Sequence, residues 1–377
     1  MVMDKRCAAL LVVVCVAARA ALAVSDGPLQ NGNFECPPDP NQMNGSAVTG
    51  QYAIPNWKIC GYVEYIQSGQ QQGDIVLTVP EGAHAVRLGN EASIEQQMGV
   101  TMGMYYSLSF SAARTCGQSQ KLRVSVNPGG QTSDLPTQTV YSSNGWDTYS
   151  WAFKAACNTV TFVIHNPGQE DDPACGPIVD SVAIKTLYPP QATQNNLLKN
   201  GNFEEGPQIS QDYQWGVLVP PMDEDDVSPL PGWMIKSFSK VVKYVDSAHF
   251  AVPQGRCAVE LVSGVETALV QEVDTVPGSS YRLEFSAGDA ADGCDSPMEV
   301  QAFAAGGRTT VTVFSPGPGG YTRGALEFTA TDSRTRVVFV SPGYYMRNDG
   351  SGTLCGPVID DASLVCVSKP TARRLLL

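Results

Sequence analysis

The sequence predicts an all-β protein made of two tandem antiparallel β-sandwiches. Three observations carry that expectation. An ordered set of short motifs occurs twice, apolar and polar residues alternate with period two, and 36 glycines and 26 prolines punctuate the chain at short intervals. The first copy reads Asn31-Gly32-Asn33-Phe34-Glu35, Pro55-Asn56-Trp57, Val79-Pro80-Glu81-Gly82, Tyr106 to Ala112, Cys116 and Cys175-Gly176-Pro177-Ile178-Val179-Asp180. The second reads Asn200-Gly201-Asn202-Phe203-Glu204, Pro231-Gly232-Trp233, Val252-Pro253-Gln254-Gly255, Tyr281 to Ala287, Cys294 and Cys355-Gly356-Pro357-Val358-Ile359-Asp360. The offset grows only from 169 residues at Asn31/Asn200 to 180 at Cys175/Cys355, so insertions fall in loops. A period that long exceeds the roughly 20–50 residues of solenoid repeats, so each copy is a domain with its own core.

The elements follow in order. Lys5 and Arg6, an apolar run from Cys7 to Ala18 and small residues at Ala21-Leu22-Ala23 read as a signal peptide over 1–23. The first domain spans 24–187, with Tyr106-Ser-Leu-Ser-Phe as a half-buried strand and Asn144-Gly145 as a turn. A proline-stiffened linker at 188–196 leads to the second domain, 197–369, in which Arg282-Leu-Glu-Phe-Ser repeats the alternation. A basic and apolar tail, 370–377, closes the chain. No stretch reaches the roughly 20 apolar residues of a spanning helix, so no membrane partner is expected.

With 37 acidic against 24 basic residues the formal charge is −13, which disfavours bulk attraction to nucleic acid, anionic lipid or anionic pectin and favours a basic protein partner. The densest run, Asp223-Glu224-Asp225-Asp226, lies between prolines and reads as a solvated loop. Asn44-Gly45-Ser46 is an N-glycosylation acceptor on a surface loop.

Nine of the eleven cysteines lie beyond the leader, in an oxidising compartment. Matching repeat positions pair Cys116 with Cys175 and Cys294 with Cys355. Cys36 with Cys60 and Cys257 with Cys366 is one of three connectivities for those four, and it leaves Cys157 as a buried, inert thiol.

Three histidines without a shared spacing, and the lack of a G-x-S-x-G elbow, an H-E-x-x-H helix or a Walker loop, leave no catalytic constellation. The acids that recur are Glu35 with Glu204 and Asp180 with Asp360. An acid in the first strand and one in the last meet in a sandwich with adjacent termini, where they either hold a structural calcium or accept backbone N–H groups in turns. Trp57 and Trp233 read as core plugs. Tyr149, Trp151 and Phe153 form a core face, and Trp146 and Tyr321, at the turn before that strand in each copy, are candidates for exposed aromatics that meet a ligand. Tyr62 and Tyr65 are further ligand-binding candidates.

The ordered set N-G-N-F-E, P-x-W, V-E-Y-I (Val63 to Ile66), P-E-G-A-x-A-V-R-L-G-N-E-A (Pro80 to Ala92), S-S-N-G-W-D (Ser142 to Asp147), L-L-K-N-G-N-F-E-E-G-P and C-G-P-V-I-D-D resembles the plant cell-wall family called domain of unknown function 642 over nearly all of the chain past the leader. The resemblance implies two galactose-binding-like jelly rolls, secretion to the cell wall, binding to cellulose or pectin, and interaction with pectin methylesterase, with no catalytic residues and no required cofactor. At the level of one domain, N-G-x-F-E and I-D-D also resemble carbohydrate-binding modules whose acids hold calcium, which would place Glu35, Asp180, Glu204 and Asp360 at metal sites. Ser181 stands where the second copy has Asp361. The expectation is a non-enzymatic wall protein; a glycan hydrolase using paired carboxylates and a purely structural wall protein are the alternatives.

Overall fold

The computed structural model describes residues 25–72, 75–115, 120–137, 145–169, 175–209, 215–314 and 320–368. Cys116, the leader and the last nine residues lie outside them. Two compact units part between Thr186 and Leu187, except that Thr148–Ala152 group with the second. Among the described residues, helix is limited to two short turns, Pro40–Gln42 and Gly264–Glu266, and the rest of the regular structure is strand.

The main strands of the first unit are β1 (Lys58–Cys60), β2 (Val63–Gln67), β3 (His84–Leu88), β4 (Ser93–Gly99), β5 (Tyr105–Ala113), β6 (Gln120–Asn127), β7 (Gln131–Thr137), β8 (Trp146–Lys154), β9 (Thr159–His165) and β10 (Ile178–Leu187). One sheet runs β2-β3-β10-β5-β8 and the other β7-β6-β9-β4-β1. The chain changes sheet between β1 and β2, β3 and β4, β4 and β5, β5 and β6, β7 and β8, β8 and β9, and β9 and β10, which makes a jelly roll.

The second unit comprises β11 (Val217–Val219), β12 (Met234–Lys236), β13 (Val242–Asp246), β14 (Cys257–Glu260), β15 (Ala268–Asp274), β16 (Ser280–Asp289), β17 (Met298–Ala304), β18 (Gly307–Val313), β19 (Tyr321–Thr329), β20 (Arg334–Val340) and β21 (Pro357–Ser368). Its sheets run β11-β13-β14-β21-β16-β19 and β12-β15-β20-β17-β18, so β13 to β21 reproduce the places of β2 to β10. Alternation buries one face of each strand. In β17 Met298, Val300, Ala302 and Ala304 are buried, while Glu299, Gln301 and Phe303 are half-buried on the other face.

The repeated motifs are the joints of this fold. Asn31 and Asn200 adopt φ of 51°, and Phe34 and Phe203 φ of 53° and 50°, a left-handed conformation that asparagine tolerates best among non-glycine residues. At Gly32 and Gly201 the backbone carbonyls of Val182 and Ala362 stand where a Cβ would be, so only glycine fits. The Trp57 and Trp233 indoles are fully buried and donate to the Asn31 and Asn200 carbonyls, both at 2.9 Å, with their rings 5.3 Å from Phe34 and Phe203. Gly176 and Gly356 likewise lie against the carbonyls of Leu88 and Leu261, tying the start of the last strand to the end of β3 or β14.

The disulfide Cys294–Cys355 is formed, with Cα atoms 5.8 Å apart. Cys60, Cys157 and Cys175 are also disulfide-bonded, so Cys157 is not the odd thiol. Cys36, Cys257 and Cys366 are in no disulfide, which overturns the pairings Cys36–Cys60 and Cys257–Cys366. Register explains the second: Val259 faces Ile359, which sets Cys257 about five residues, on the order of 16 Å, from Cys366 along the ladder. For the first, Cys36 is held at the opening turn, its N–H donating to Asn31 Oδ1 at 2.9 Å, whereas Cys60 ends β1 opposite Ser93 on β4.

Candidate functional site

In each unit the recurring acids meet the loop that leads into β3 or β14. Glu35 Oε1 accepts from the N–H groups of Ala83 (2.6 Å) and His84 (2.9 Å), and Oε2 faces His84 Nδ1 at 3.0 Å. Asp180 accepts from Glu81 N at 2.9 Å and Ser181 N at 2.7 Å. In the second unit Glu204 accepts from Arg256 N (2.6 Å) and Cys257 N (3.2 Å), with Arg256 Nε 3.2 Å from its other oxygen. Asp360 accepts from Gln254 N and Asp361 N, at 2.7 and 2.6 Å. Burial alone would raise Glu35, but the His84 side chain and the two N–H groups outweigh it and hold the carboxyl below its ordinary value. Burial dominates at the partner acids, lifting Asp180 well above the carboxylate range and Asp360 to about 7.

Calcium takes about six to eight oxygen ligands at roughly 2.3–2.6 Å. Each of the four carboxylates turns its oxygens to N–H donors, and the Arg256 guanidinium stands where a cation would balance Glu204. The donor set therefore does not fit calcium, and Glu35, Asp180, Glu204 and Asp360 act as backbone acceptors that shape two loops.

The aromatic candidates separate. Tyr321 is 57% exposed at the head of edge strand β19, and Tyr62 is 41% exposed between β1 and β2. Trp146 is only 7% exposed, a correction to its reading as a surface ring. The strand begins at Trp146 itself, and every side chain from Trp146 to Phe153 is buried. Tyr65 is also committed: its hydroxyl donates to the Phe34 carbonyl at 2.6 Å and its ring stacks on His84 at 4.9 Å. Tyr244 repeats the bond, to the Phe203 carbonyl at 2.8 Å.

The outer faces of the two five-stranded sheets remain, and motif reading had not singled them out. In the first unit, cross-strand register sets Lys58, Glu95, Val163 and Ser125 in one row. Ser93, His165, Arg123 and Asp134 form the next, and Gln97, Thr161 and Asn127 a third. Lys58 pairs with Glu95 at 2.8 Å, and Arg123 grips both Asp134 oxygens at 2.7 and 3.0 Å. His165 Nε2 lies 3.1 Å from Glu91. The Arg123 hydrogen bonds hold Asp134 below the usual carboxylate range against the opposing effect of burial. In the second unit the corresponding row is Met234, Val270, Val338, Phe303 and Arg308, apolar until its last member. Beside it, between the β17–β18 turn and the β19–β20 turn, lies a cavity of about 350 Å3 lined by Phe303 to Gly307, Thr331, Asp332 and Arg334 to Arg336. The sequence signal for these faces is the polar half of each alternating strand, which looks the same whether it meets a ligand or only water.

The fold and these surfaces define a tandem jelly-roll protein with two solvent-facing sheets and its repeated acids committed to loops. The chain belongs to the family described as Protein of unknown function (DUF642), whose model matches residues 27–185 and 196–365. It is 54% identical over 369 residues to Protein DUF642 L-GALACTONO-1,4-LACTONE-RESPONSIVE GENE 1 of Arabidopsis thaliana, covering 97% of this chain and 99% of that protein. It is 46% identical over 335 residues to Protein TEEBE of the same plant, covering 89% and 90%. Among solved structures, the CBM22-1-CBM22-2 tandem domain of Paenibacillus barcinonensis Xyn10C aligns with 93% of this chain and 99% of its own at 12% identity and a TM-score of 0.29. The fold assignment rests on the strand order and not on that likeness. No helix among the described residues is long and apolar enough to cross a membrane.

Proposed function

We infer that the protein is a secreted, non-catalytic cell-wall protein that holds wall polysaccharide on the outer faces of its five-stranded sheets and takes pectin methylesterase as a protein partner. The observation that carries the reading is the face built by Lys58, Glu95, Gln97, Arg123, Ser125, Asn127 and His165: donors and acceptors spread over three adjacent rows of one sheet, suited to a polymer of hydroxyl groups. Membership in the family supports the wall setting. Two tethered sites engage one polymer by avidity, because the second contact forms at the effective concentration set by the first.

The hydrolase alternative has less support. A glycosidase needs two carboxyls about 5–10 Å apart across a cleft, and the acids that recur here are spent on backbone N–H groups. The partner reading rests on charge: a formal −13, with Asp223 to Asp226 exposed on a loop, attracts a basic esterase over about 8 Å in physiological salt.

The test is binding of the mature protein to cellulose, to pectins of graded methylation and to a pectin methylesterase, with and without a chelator, while released sugar is assayed. Saturable binding without sugar release is the expected result. Release of sugar, or no saturable ligand in the panel, overturns the reading.

A further inference from the structure

We propose that the cavity between the β17–β18 and β19–β20 turns is a subsite for an acidic sugar, a uronate residue, with its ring against Phe303 and its carboxylate on Arg334 and Arg336. The proposal rests on the polysaccharide-binding reading and names the ligand class of one site within it. Ligand pockets begin at about 300 Å3, and this cavity reaches about 350 Å3 because its turn is made of small residues, Ala304, Ala305, Gly306 and Gly307. Ala305 and Gly306 take φ of 46° and 80°, the tight hairpin geometry that keeps the turn clear of the opening.

Chemistry selects the ligand. Phe303 is half-buried and stands directly opposite Val338 on β20 and Arg308 on β18, an aromatic face flanked by a cation. Arg336 spends Nε and Nη2 on Glu272 Oε1, at 3.2 and 2.7 Å, which leaves Nη1 for a ligand. Arg334 is 75% exposed and lies 3.8 Å by Nε from an Asp274 oxygen, and its terminal nitrogens make no hydrogen bond among the described residues. Arg308 makes no ion pair among the described residues. Glu272 and Asp274 lie on β15 and do not line the cavity, whose lining carries two arginines against the single carboxylate of Asp332. Asp332 and Thr331 offer acceptors and a donor for sugar hydroxyls. A fork of guanidinium donors matches a carboxylate, and the pyranose C–H face matches a phenyl ring; a bare anion would leave Phe303 unused, and a neutral hexose would leave the arginines unused. The acidic balance of the whole chain does not prevent this, since charges more than about 8 Å away are largely screened at physiological salt.

The experiment titrates the mature full-length protein with a fluorescent de-esterified oligogalacturonate in EDTA, beside its full methyl ester and inorganic phosphate. The acid oligomer should saturate, with the ester and phosphate each at least tenfold weaker. Arg334→Gln with Arg336→Gln should weaken the acid oligomer at least tenfold while the thermal transition stays in place, and Arg282→Gln with Arg323→Gln, a matched loss of two surface cations on the other sheet, should not. Equal binding of acid and ester, phosphate competing as well as the oligomer, or full affinity in the double variant overturns the proposal. If the acid oligomer binds the double variant as it binds the parent, the subsite falls and the polysaccharide reading stands. If nothing in the wider glycan panel binds the parent, both fall.

Discussion

The two units hide an ion pair at the same place in the fold with the charges exchanged. In the first, Glu64 on β2 faces Arg87 on β3; in the second, Lys243 on β13 faces Glu260 on β14. All four side chains are almost fully buried. Glu64 takes Arg87 Nε at 2.7 Å and the Ser46 hydroxyl at 2.6 Å. Glu260 has Lys243 Nζ at 3.0 Å from Oε2 and the Gly356 N–H at 2.9 Å from Oε1. What the position demands is one carboxylate and one cation, on either strand, because a lone buried charge is far more costly than a matched pair. The pairs are not equal in quality. Arginine presents a planar fork and stays charged, while lysine offers a point charge, and burial pushes Glu260 up to about 7 in spite of Lys243.

The largest effect that would break this equivalence comes from Arg87→Glu, which sets two buried carboxylates together. It should cost about 3–5 kcal/mol in denaturant unfolding, and adding Glu64→Lys, which gives the first unit the arrangement of the second, should recover most of the loss. No recovery in the double variant would mean the two sites are not interchangeable. A smaller effect sharpens the parts in which the units agree. Gly82 and Gly255 have φ of 64° and 69°, and a Cβ on either would collide with the Glu35 or Glu204 carboxylate. Gly82→Ala and Gly255→Ala should each lower stability by about 2 kcal/mol, to similar extents, as read from the two unfolding transitions.

The smallest effect is in pH. Folded Glu260 and Asp360 sit at about 7, above the ordinary carboxylate value near 4, so between about pH 4 and 7 the folded state keeps protons that the unfolded chain releases. Their contribution is therefore full in acid and is lost as pH rises through about 7. The second unit should be less stable at pH 7.5 than at pH 5, and Glu260→Gln should flatten that slope. A slope unchanged by the substitution would place the proton elsewhere.

The architecture was legible because the repeat and the period-two strands are local features. Asn31, Gly32, Phe34 and their partners in the second copy recur because the joint needs a left-handed asparagine, a glycine under a carbonyl and a ring on Trp57 or Trp233. The Cys294–Cys355 bridge was legible from matching positions. The role of the acids was open in the sequence, since spacing along the chain does not show whether an oxygen faces a cation or an N–H. The exchanged ion pair leaves no recurring residue in the sequence, since Glu64 stands where the second copy has Lys243. Trp146 opens its strand where the sequence placed it in the turn before, and nothing in the order of residues sets Arg334 and Arg336 beside the hairpin of Ala304 to Gly307.

The joint at the head of each copy has a consequence for biosynthesis. Asp180 bonds to Glu81, 99 residues before it, and Val182 exchanges backbone bonds with Leu29 and Gly32. Asp360 reaches Gln254 across 106 residues, and Ala362 bonds to Gly201. A ribosome delivers the opening motif first and its closing strand last, so each copy stays open along this seam until nearly all of it has been made, and loop closure sets the pace of its folding. The first copy is complete only as the linker emerges, which gives it the whole synthesis time of the second in which to close alone.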